Sequence, residues 1–461
     1  IIKSDKLTDG DSVAWILDNT YFSFHYPKRS EITLNQKNYI EQYFRLFNSK
    51  IYNNNVNNGF PSLIEIRSFI DYMLINELSA NVDAYQLSTY YHKDRGGKLR
   101  AGPIWDFNLT YGNDLKFWGL DRSHYDVWQF ANGDNEGPRY WKNLFADYQF
   151  RCHLSKRWKY LTREKGEMNL MTLNKLVDDT YKNIEEACDR DRQKWQTFTN
   201  FIQQKDEIKN WLTQRVKWMD DQLSETSGCP FSAPNIVISA INYNPAGQIT
   251  ANEEFIEITN NDNNIIDLTG FYFRNLGINF QFPDQSKIFP GQKLYVVGNK
   301  AVFESKYGKT AFGVFNRDLP NDDFDLILAN GWGEEIDRVE YKDKAPWPSE
   351  ADGKGAFLVL KNLNADNNLG ENWKTDVLLS TEILSFPSVI LKPNPSSHLI
   401  FLESEQQIEL IMLYDEQGKL ANKYVFPTHF IDITDMSIGL YYAEIVLIDG
   451  SKTFKRVMII K

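Results

Sequence analysis

The hydrophobic period changes once along the chain, near residue 227, and that change demands a helical part followed by a sheet part. Up to about Glu225 apolar residues recur at helical spacing, as in Ile208, Trp211, Leu212, Val216, Met219 and Leu223. The charged residues of that last stripe read as its solvated face. The breakers Ser227-Gly228-Cys229-Pro230 and Ser232-Ala233-Pro234 intervene, and apolar residues then alternate in short runs between Asn, Asp and Gly turns. Runs at 236–241, 254–259, 293–297, 326–328, 337–341 and 356–360 predict an antiparallel β-sandwich. A smaller β-patterned segment closes the chain. At 461 residues there is room for about three domains. The expected division is a mostly helical α+β lobe at 1–226, a linker at 227–233, an all-β sandwich at 234–376, a linker at 377–389 and a small β-sandwich at 390–461.

Within the helical part, residues 76–113 concentrate the chemistry. Ile66, Phe69, Ile70, Met73, Leu74 and Leu78 predict an amphipathic helix that delivers Asn81-Val82-Asp83 at or just past its end. A strand at 87–92, a turn at Asp94-Arg95-Gly96-Gly97 and a short strand around Leu99 predict a hairpin. Gly102-Pro103-Ile104-Trp105-Asp106-Phe107-Asn108 then brings Asp106 back beside it. Two carboxylates with amides nearby (Asn81, Asn108, Asn113) suit a hard divalent cation holding phosphate groups. On spacing alone the structural reading outweighs this one: Asp83 as a helix cap and Asp106 as a turn carboxylate are commoner roles. Trp105 and Pro103 read as setting the loop shape.

The stretch SFIDYMLINELSANVDAYQLSTYYHKDRGGKLRAGPIWDFNLTYGN resembles the core of the CotH family, the spore-coat-protein-H-like secreted protein kinases, and in particular the branch in multidomain surface proteins of Bacteroidetes-type bacteria. The resemblance covers roughly residues 1–225. It implies that Asp83 is catalytic and that Asp106, within W-D-F-N, is a metal ligand with Asn108 beside it. The implied cofactors are ATP and Mg2+ or Ca2+. Asn81, Asn113 and Ser88 become second-tier contacts around the nucleotide. Ser88 stands five residues after Asp83, where ordinary kinases place a metal-binding Asn. In the family, residue 1 already falls mid-domain, after the nucleotide-gripping N-terminal lobe with its lysine and partner acid. No Gly-rich loop opens a helix or hairpin in residues 1–113, and Gly353-Lys354-Gly355 reads as a turn.

Residues 1–60 predict an opening helix, introduced by Asp11-Ser12-Val13, then a short strand at 21–24 and a second helix carrying Tyr39, Ile40, Tyr43, Phe44 and Phe47. The segment 113–135 is loop-like and aromatic. Its Phe117, Trp118, Tyr125, Trp128 and Phe130 mostly close the core, with Trp118, Trp128 and His124 as candidates to flank a substrate cleft. Helical pattern resumes after Pro138 and includes a segment around 173–188. Three cysteines leave two arrangements open: Cys152 pairs with Cys188, leaving Cys229 over, or the thiols stay free.

Residues 234–375 resemble the lamin-tail domain, an immunoglobulin-like sandwich, through EEFIEITN, DLTGFYF, IFPGQKLYVVGN and GWGEEIDRVEYKDKAPWP in order. Asp322, Asp323 and Asp325 read as leading into a hairpin, with calcium binding as the alternative. The last segment is similar to the C-terminal sorting domain of type IX secretion, through its P-N-P opening, D-x-x-G-K turn, G-L-Y-Y strand and K-R-V-x-I-I-K end. That resemblance implies export across the outer membrane, with release or surface attachment.

A net charge of −11 and a pI near 5.2 argue against nucleic acid or anionic membrane as the main partner. No apolar run is long enough to span a membrane. The chain starts Ile1-Ile2-Lys3 and reads as a processed or truncated product without a signal peptide. The expectation is a secreted or outer-membrane-surface kinase-fold protein that phosphorylates an unknown acceptor protein and engages the type IX machinery. The alternatives are an inactive kinase-fold scaffold and a surface adhesin that binds polysaccharide.

Overall fold

The computed structural model describes residues 1–5, 14–113, 123–132, 137–196, 200–224, 229, 231–246, 250–376, 389–404, 407–427, 429–448 and 452–460. The chain divides into two compact units, one of residues 1–94 and 98–232 and the other of 95–97 and 233–461.

The first unit sets helices against a small antiparallel sheet. Its elements are β1 Ile2–Ser4, β2 Trp15–Leu17, β3 Thr20–Phe24, α1 Leu34–Ser49, α2 Ile66–Ser79, β4 Thr89–Lys93, β5 Leu99–Ala101, α3 Tyr140–Ala146, α4 Tyr148–Thr162, α5 Leu170–Trp195 and α6 Phe201–Gln222. The sheet order is β2-β3-β1-β4-β5. The opening helix is not found among the described residues, since strands occupy both sides of residues 6–13. The three residues Asp11-Ser12-Val13 lie outside the described residues.

Helix α2 is the spine of this unit. Glu65 caps it, accepting the Arg67 and Ser68 N–H groups at 3.2 and 2.7 Å. Tyr72, Asn76, Glu77 and Ser79 are buried along with the expected apolar face, so the helix is enclosed nearly all round rather than amphipathic. Around it pack Phe44, Phe47, Tyr85, Tyr91, Tyr140 and Trp141, all fully buried. The polar tips of these rings pair with one another: Tyr91 Oη accepts from Tyr140 Oη at 2.7 Å and from Trp141 Nε1 at 3.1 Å. Asp71 takes a forked bond from Arg157 of α4 at 2.8 and 3.2 Å, and Trp158 Nε1 donates to Asp220 of α6 at 2.7 Å. Helix α5 buries no residue of its own.

Cysteine pairing differs from expectation. Cys152 of α4 bonds Cys229, with Cα atoms 5.8 Å apart, and Cys188 is the free thiol. Cys188 lies on α5, which buries none of its residues, whereas Cys152 and Cys229 are both buried.

Among its described residues the second unit is β apart from one two-turn helix and a few single turns. A six-stranded sheet runs in the order Gly313–Val314, Lys293–Val297, Phe255–Asn260, Ile236–Asn242, Phe357–Leu360, Trp373–Asp376. A three-stranded sheet, Glu335–Tyr341, Phe324–Ala329, Tyr272–Phe273, shares a core with it through Ile238, Ile256, Ile258, Leu326, Leu328 and Val339. All seven residues of Ile236–Asn242 are buried. The far side of the large sheet carries Phe255, Tyr295, Val297 and Phe357, covered by Phe303 of the helix Lys300–Tyr307. That helix is absent from the sequence expectation, although Asn299 caps its start and Gly308 its end. The strands Trp373–Asp376 and Phe357–Leu360 extend the sheet to residue 376. Residues 389–460 form two further sheets around a separate core of Val389, Ile400, Ile411, Leu413, Ile445 and Val457. Among the described residues no helix is long and apolar enough to cross a membrane.

Candidate active site

Helix α2 stops at Ala80, which adopts φ +47° as the left-handed cap. Asn81, 1% exposed, then shapes the turn: its Nδ2 donates to Asn76 Oδ1 at 3.1 Å and its Oδ1 accepts the Asp83 N–H at 3.2 Å. Both polar ends of Asn81 thereby make hydrogen bonds within the turn. Asp83 itself is half-buried. Its carbonyl accepts the Leu87 N–H at 3.0 Å, and Ser4 of β1 donates to the Gln86 carbonyl, tying the turn to the sheet. Strand β4 starts two residues later than the sequence predicts, because Tyr85 (φ +74°) and Ser88 (φ +49°) keep the chain turning. Ser88 is buried.

The second aspartate returns as expected. After hairpin β4–β5, the chain passes Gly102 and the cis Gly102–Pro103 bond into an exposed loop. Asp106 sits there at φ +60°, exposed, with no side-chain hydrogen bond or ion pair among the described residues. The Asn108 side chain is likewise exposed and uncommitted, and its backbone carbonyl accepts Asn113 Nδ2 at 2.9 Å. Trp105 is 59% exposed, so it does not set the loop shape by packing.

Backbone bonds hold the two segments together. Val82 N–H donates to Leu109 O at 3.3 Å and Tyr111 N–H to Ser79 O at 2.7 Å. Twelve residues other than glycine have left-handed φ among the described residues, and five of them, Ala80, Tyr85, Ser88, Asp106 and Tyr111, fall between 80 and 111. Each costs roughly 1–3 kcal/mol and persists only where the surroundings over-determine it.

Beneath this turn lies a pair that sequence reasoning missed. Arg215 of α6 is fully buried, against the expectation that the charges of this helix face water. Its Nη2 meets Glu77 Oε2 at 3.0 Å, its Nε donates to Glu77 O at 2.8 Å, and its Nη1 donates to Tyr125 O and Val127 O at 2.6 and 2.7 Å. Glu77 also accepts Tyr85 Oη at 2.7 Å and the N–H groups of Gln129 and Phe130 at 2.9 and 3.2 Å. Burial pushes the Glu77 carboxyl up, while Arg215 and these donors hold it down. The available signal was position: Arg215 falls on the apolar stripe between Leu212 and Val216.

Of the expected cleft residues, Trp128 is half-buried, packed on Trp218 at 4.6 Å and Phe145 at 5.1 Å with Arg215 over its ring at 5.6 Å. His124 is exposed and lies 3.6 Å from Asp126. Trp118 and Phe117 are outside the described residues. Among the described residues no three His, Cys, Asp or Glu side chains are arranged to hold a metal ion. Asp106 and Asn108 offer uncommitted oxygens, the donor type that Mg2+ takes while keeping water and phosphate oxygens as its remaining ligands. The acidic run at 322–325 leads into a strand as expected, and Asp325 is spent on Arg338 at 2.7 Å and Asn275 at 3.0 Å.

Residues 4–219 match the CotH kinase protein family. The site described above lies wholly within this CotH region. Residues 230–343 match the Lamin Tail Domain, and the sheet that begins there continues beyond the matched span to residue 376. No curated protein matches the chain. Among solved structures, dimeric latent PorU from Porphyromonas gingivalis matches with 14% identity over 50% of this chain and 20% of that one, at a TM-score of 0.14. The chain thus spans about a fifth of that structure's length, and a likeness this slight carries no argument about fold.

Proposed function

We propose that residues 1–226 form a CotH-type kinase-fold domain that transfers phosphate from ATP to a hydroxyl of an acceptor protein. The observation that carries this reading is the backbone pairing of the Asp83 and Asp106 segments, with Asp106 left exposed and uncommitted. Asp83 orients the acceptor hydroxyl and takes its proton; Asp106, with Asn108, holds the cation. Magnesium, or calcium in its place, supplies charge neutralisation at the phosphates. Asn113 braces the loop through the Asn108 carbonyl, and Asn81 aims Asp83.

The other domains support a location outside the cytoplasm. We assign 234–376 as an immunoglobulin-like lamin-tail sandwich that spaces or binds, and 390–461 as a type IX secretion sorting domain. The Cys152–Cys229 disulfide fits an oxidising compartment. A second reading, a scaffold that binds without turnover, is favoured by Ser88, whose buried side chain stands where kinases carry a metal-binding Asn.

Calorimetric titration of the chain with ATP and magnesium, beside Asp106→Ala, tests the proposal. Binding by the intact chain that is lost in the variant supports it. Equal binding by both, or none by the intact chain, overturns it. Binding without phosphate transfer selects the scaffold.

A further inference from the structure

We infer that Glu77 and Arg215 are positioning residues for Asp83, acting through Tyr85 as a clamp under the turn. The inference rests on the reading of Asp83 as the residue that orients the acceptor. Asp83 lies between two points of attachment: Glu77, six residues before it, and Tyr85, two residues after it, are joined by the Tyr85 Oη to Glu77 Oε1 bond at 2.7 Å. The turn that presents Asp83 is therefore a closed ring, and the ring is anchored from below.

That anchor is Arg215. Its Nε donates to the Glu77 carbonyl in the last turn of α2, which also accepts the Ala80 N–H at 3.0 Å. Its Nη2 holds the Glu77 carboxylate, and its Nη1 draws in two carbonyls of the 125–127 segment. A cation at a helix C-terminus is favoured by the helix dipole. Glu77 in turn takes the N–H groups of Gln129 and Phe130, so one carboxylate collects four donors from three parts of the chain. Apolar residues of this volume would fill the space as well; the ion pair adds four directional bonds converging on one carboxylate. Neither residue is exposed, so neither touches substrate. They act on the reaction only through where they hold Asp83.

The decisive variant is Tyr85→Phe, which opens the ring yet leaves the ion pair and its backbone bonds in place. Arg215→Ala would strand a buried carboxylate and risks unfolding, so it does not serve. Three readouts are taken on the full chain: amide hydrogen exchange at residues 81–86, magnesium-ATP affinity by calorimetry, and phosphate transfer with kcat and KM separated. The expected result is exchange at 81–86 at least tenfold faster, affinity within twofold of the parent, and kcat at least tenfold lower at unchanged KM. Unchanged exchange overturns the clamp. Faster exchange with unchanged kcat overturns its role in positioning Asp83 for catalysis. If the parent chain neither binds nor turns over ATP, the phosphotransfer reading falls, and with it the catalytic role inferred here, while the exchange result still decides whether Glu77 and Tyr85 hold the turn.

Discussion

Val82 and Leu109 are joined backbone to backbone at 3.3 Å, one residue after Asn81 and three after Asp106. This bond fixes the separation of the two aspartate segments independently of any ligand. It also means that the side chain at 106 can be changed while its backbone neighbours stay anchored.

Asp106 should therefore separate binding from stability. At φ +60° a glycine is unstrained, whereas alanine pays about 1 kcal/mol for its Cβ. Asp106→Gly should melt higher than Asp106→Ala, and both should lose magnesium-dependent nucleotide binding. Thermal unfolding alongside calorimetry checks both halves; an alanine variant as stable as the glycine variant would contradict the backbone argument.

Gly137 should tolerate no side chain. A Cβ there would meet the Tyr85 carbonyl carbon at 2.5 Å and its oxygen at 2.6 Å, and φ is +71°. Gly137→Ala should destabilise by about 2 kcal/mol or more, seen as a lower urea midpoint, with faster amide exchange just after Asp83.

Reduction should weaken the first unit. The Cys152–Cys229 bond closes a loop of sequence separation 77, which in the chain-entropy model stabilises by at most ~4.5 kcal/mol. Cys229→Ser should lower the urea midpoint about as much as reductant lowers that of the parent. In the native parent only Cys188 should react with a thiol reagent. A single reactive thiol at Cys152 or Cys229 would place the bond elsewhere, and three reactive thiols would refute it.

The lamin-tail region should lose stability as pH rises. Burial, reinforced by Asp318, pushes the Glu254 carboxyl up to about 8 from 4.5, against the opposing hydrogen bond from the Leu319 N–H at 2.7 Å. Between those two values the folded state binds the proton and the unfolded state does not. Stability from this group is thus full below pH 4.5 and falls through pH 8. Asp337, pushed up to about 6 from 3.8 by burial, adds the same sign at lower pH. Glu254→Gln should flatten the dependence and melt higher than the parent at pH 8. A parent and variant with parallel melting profiles from pH 5 to 8 would refute the shift.

The features legible in the sequence are those with a period or a turn signature. Helix α2, hairpin β4–β5 and the return of the 106–111 segment to the end of α2 follow from apolar spacing and from Asp94-Arg95-Gly96-Gly97. What escaped has no local signature. The strands Ile2–Ser4 and Trp15–Leu17 have three residues each, too few to display alternation. The strand Ile236–Asn242 is buried on both faces, so alternation alone understates its burial. Cysteine pairing depends on which thiols meet in space, and two of three candidates sat on helices. Arg215 is a charge on an apolar stripe, where the usual reading of charge as solvated fails. Left-handed φ at Tyr85 and Ser88 runs against residue type, so nothing in the local sequence announces it, and Asp106 is of a type that merely tolerates it.

The disulfide has a mechanical consequence. Because Cys152 is bonded to Cys229, tension applied to the two ends of the chain bypasses residues 153–228 through the sulfur bridge. Helices α5 and α6 carry no load, and Arg215 keeps its grip on Glu77 until α2 itself is pulled. About 250 Å of contour length is withheld from extension, and a reducing agent is what releases it.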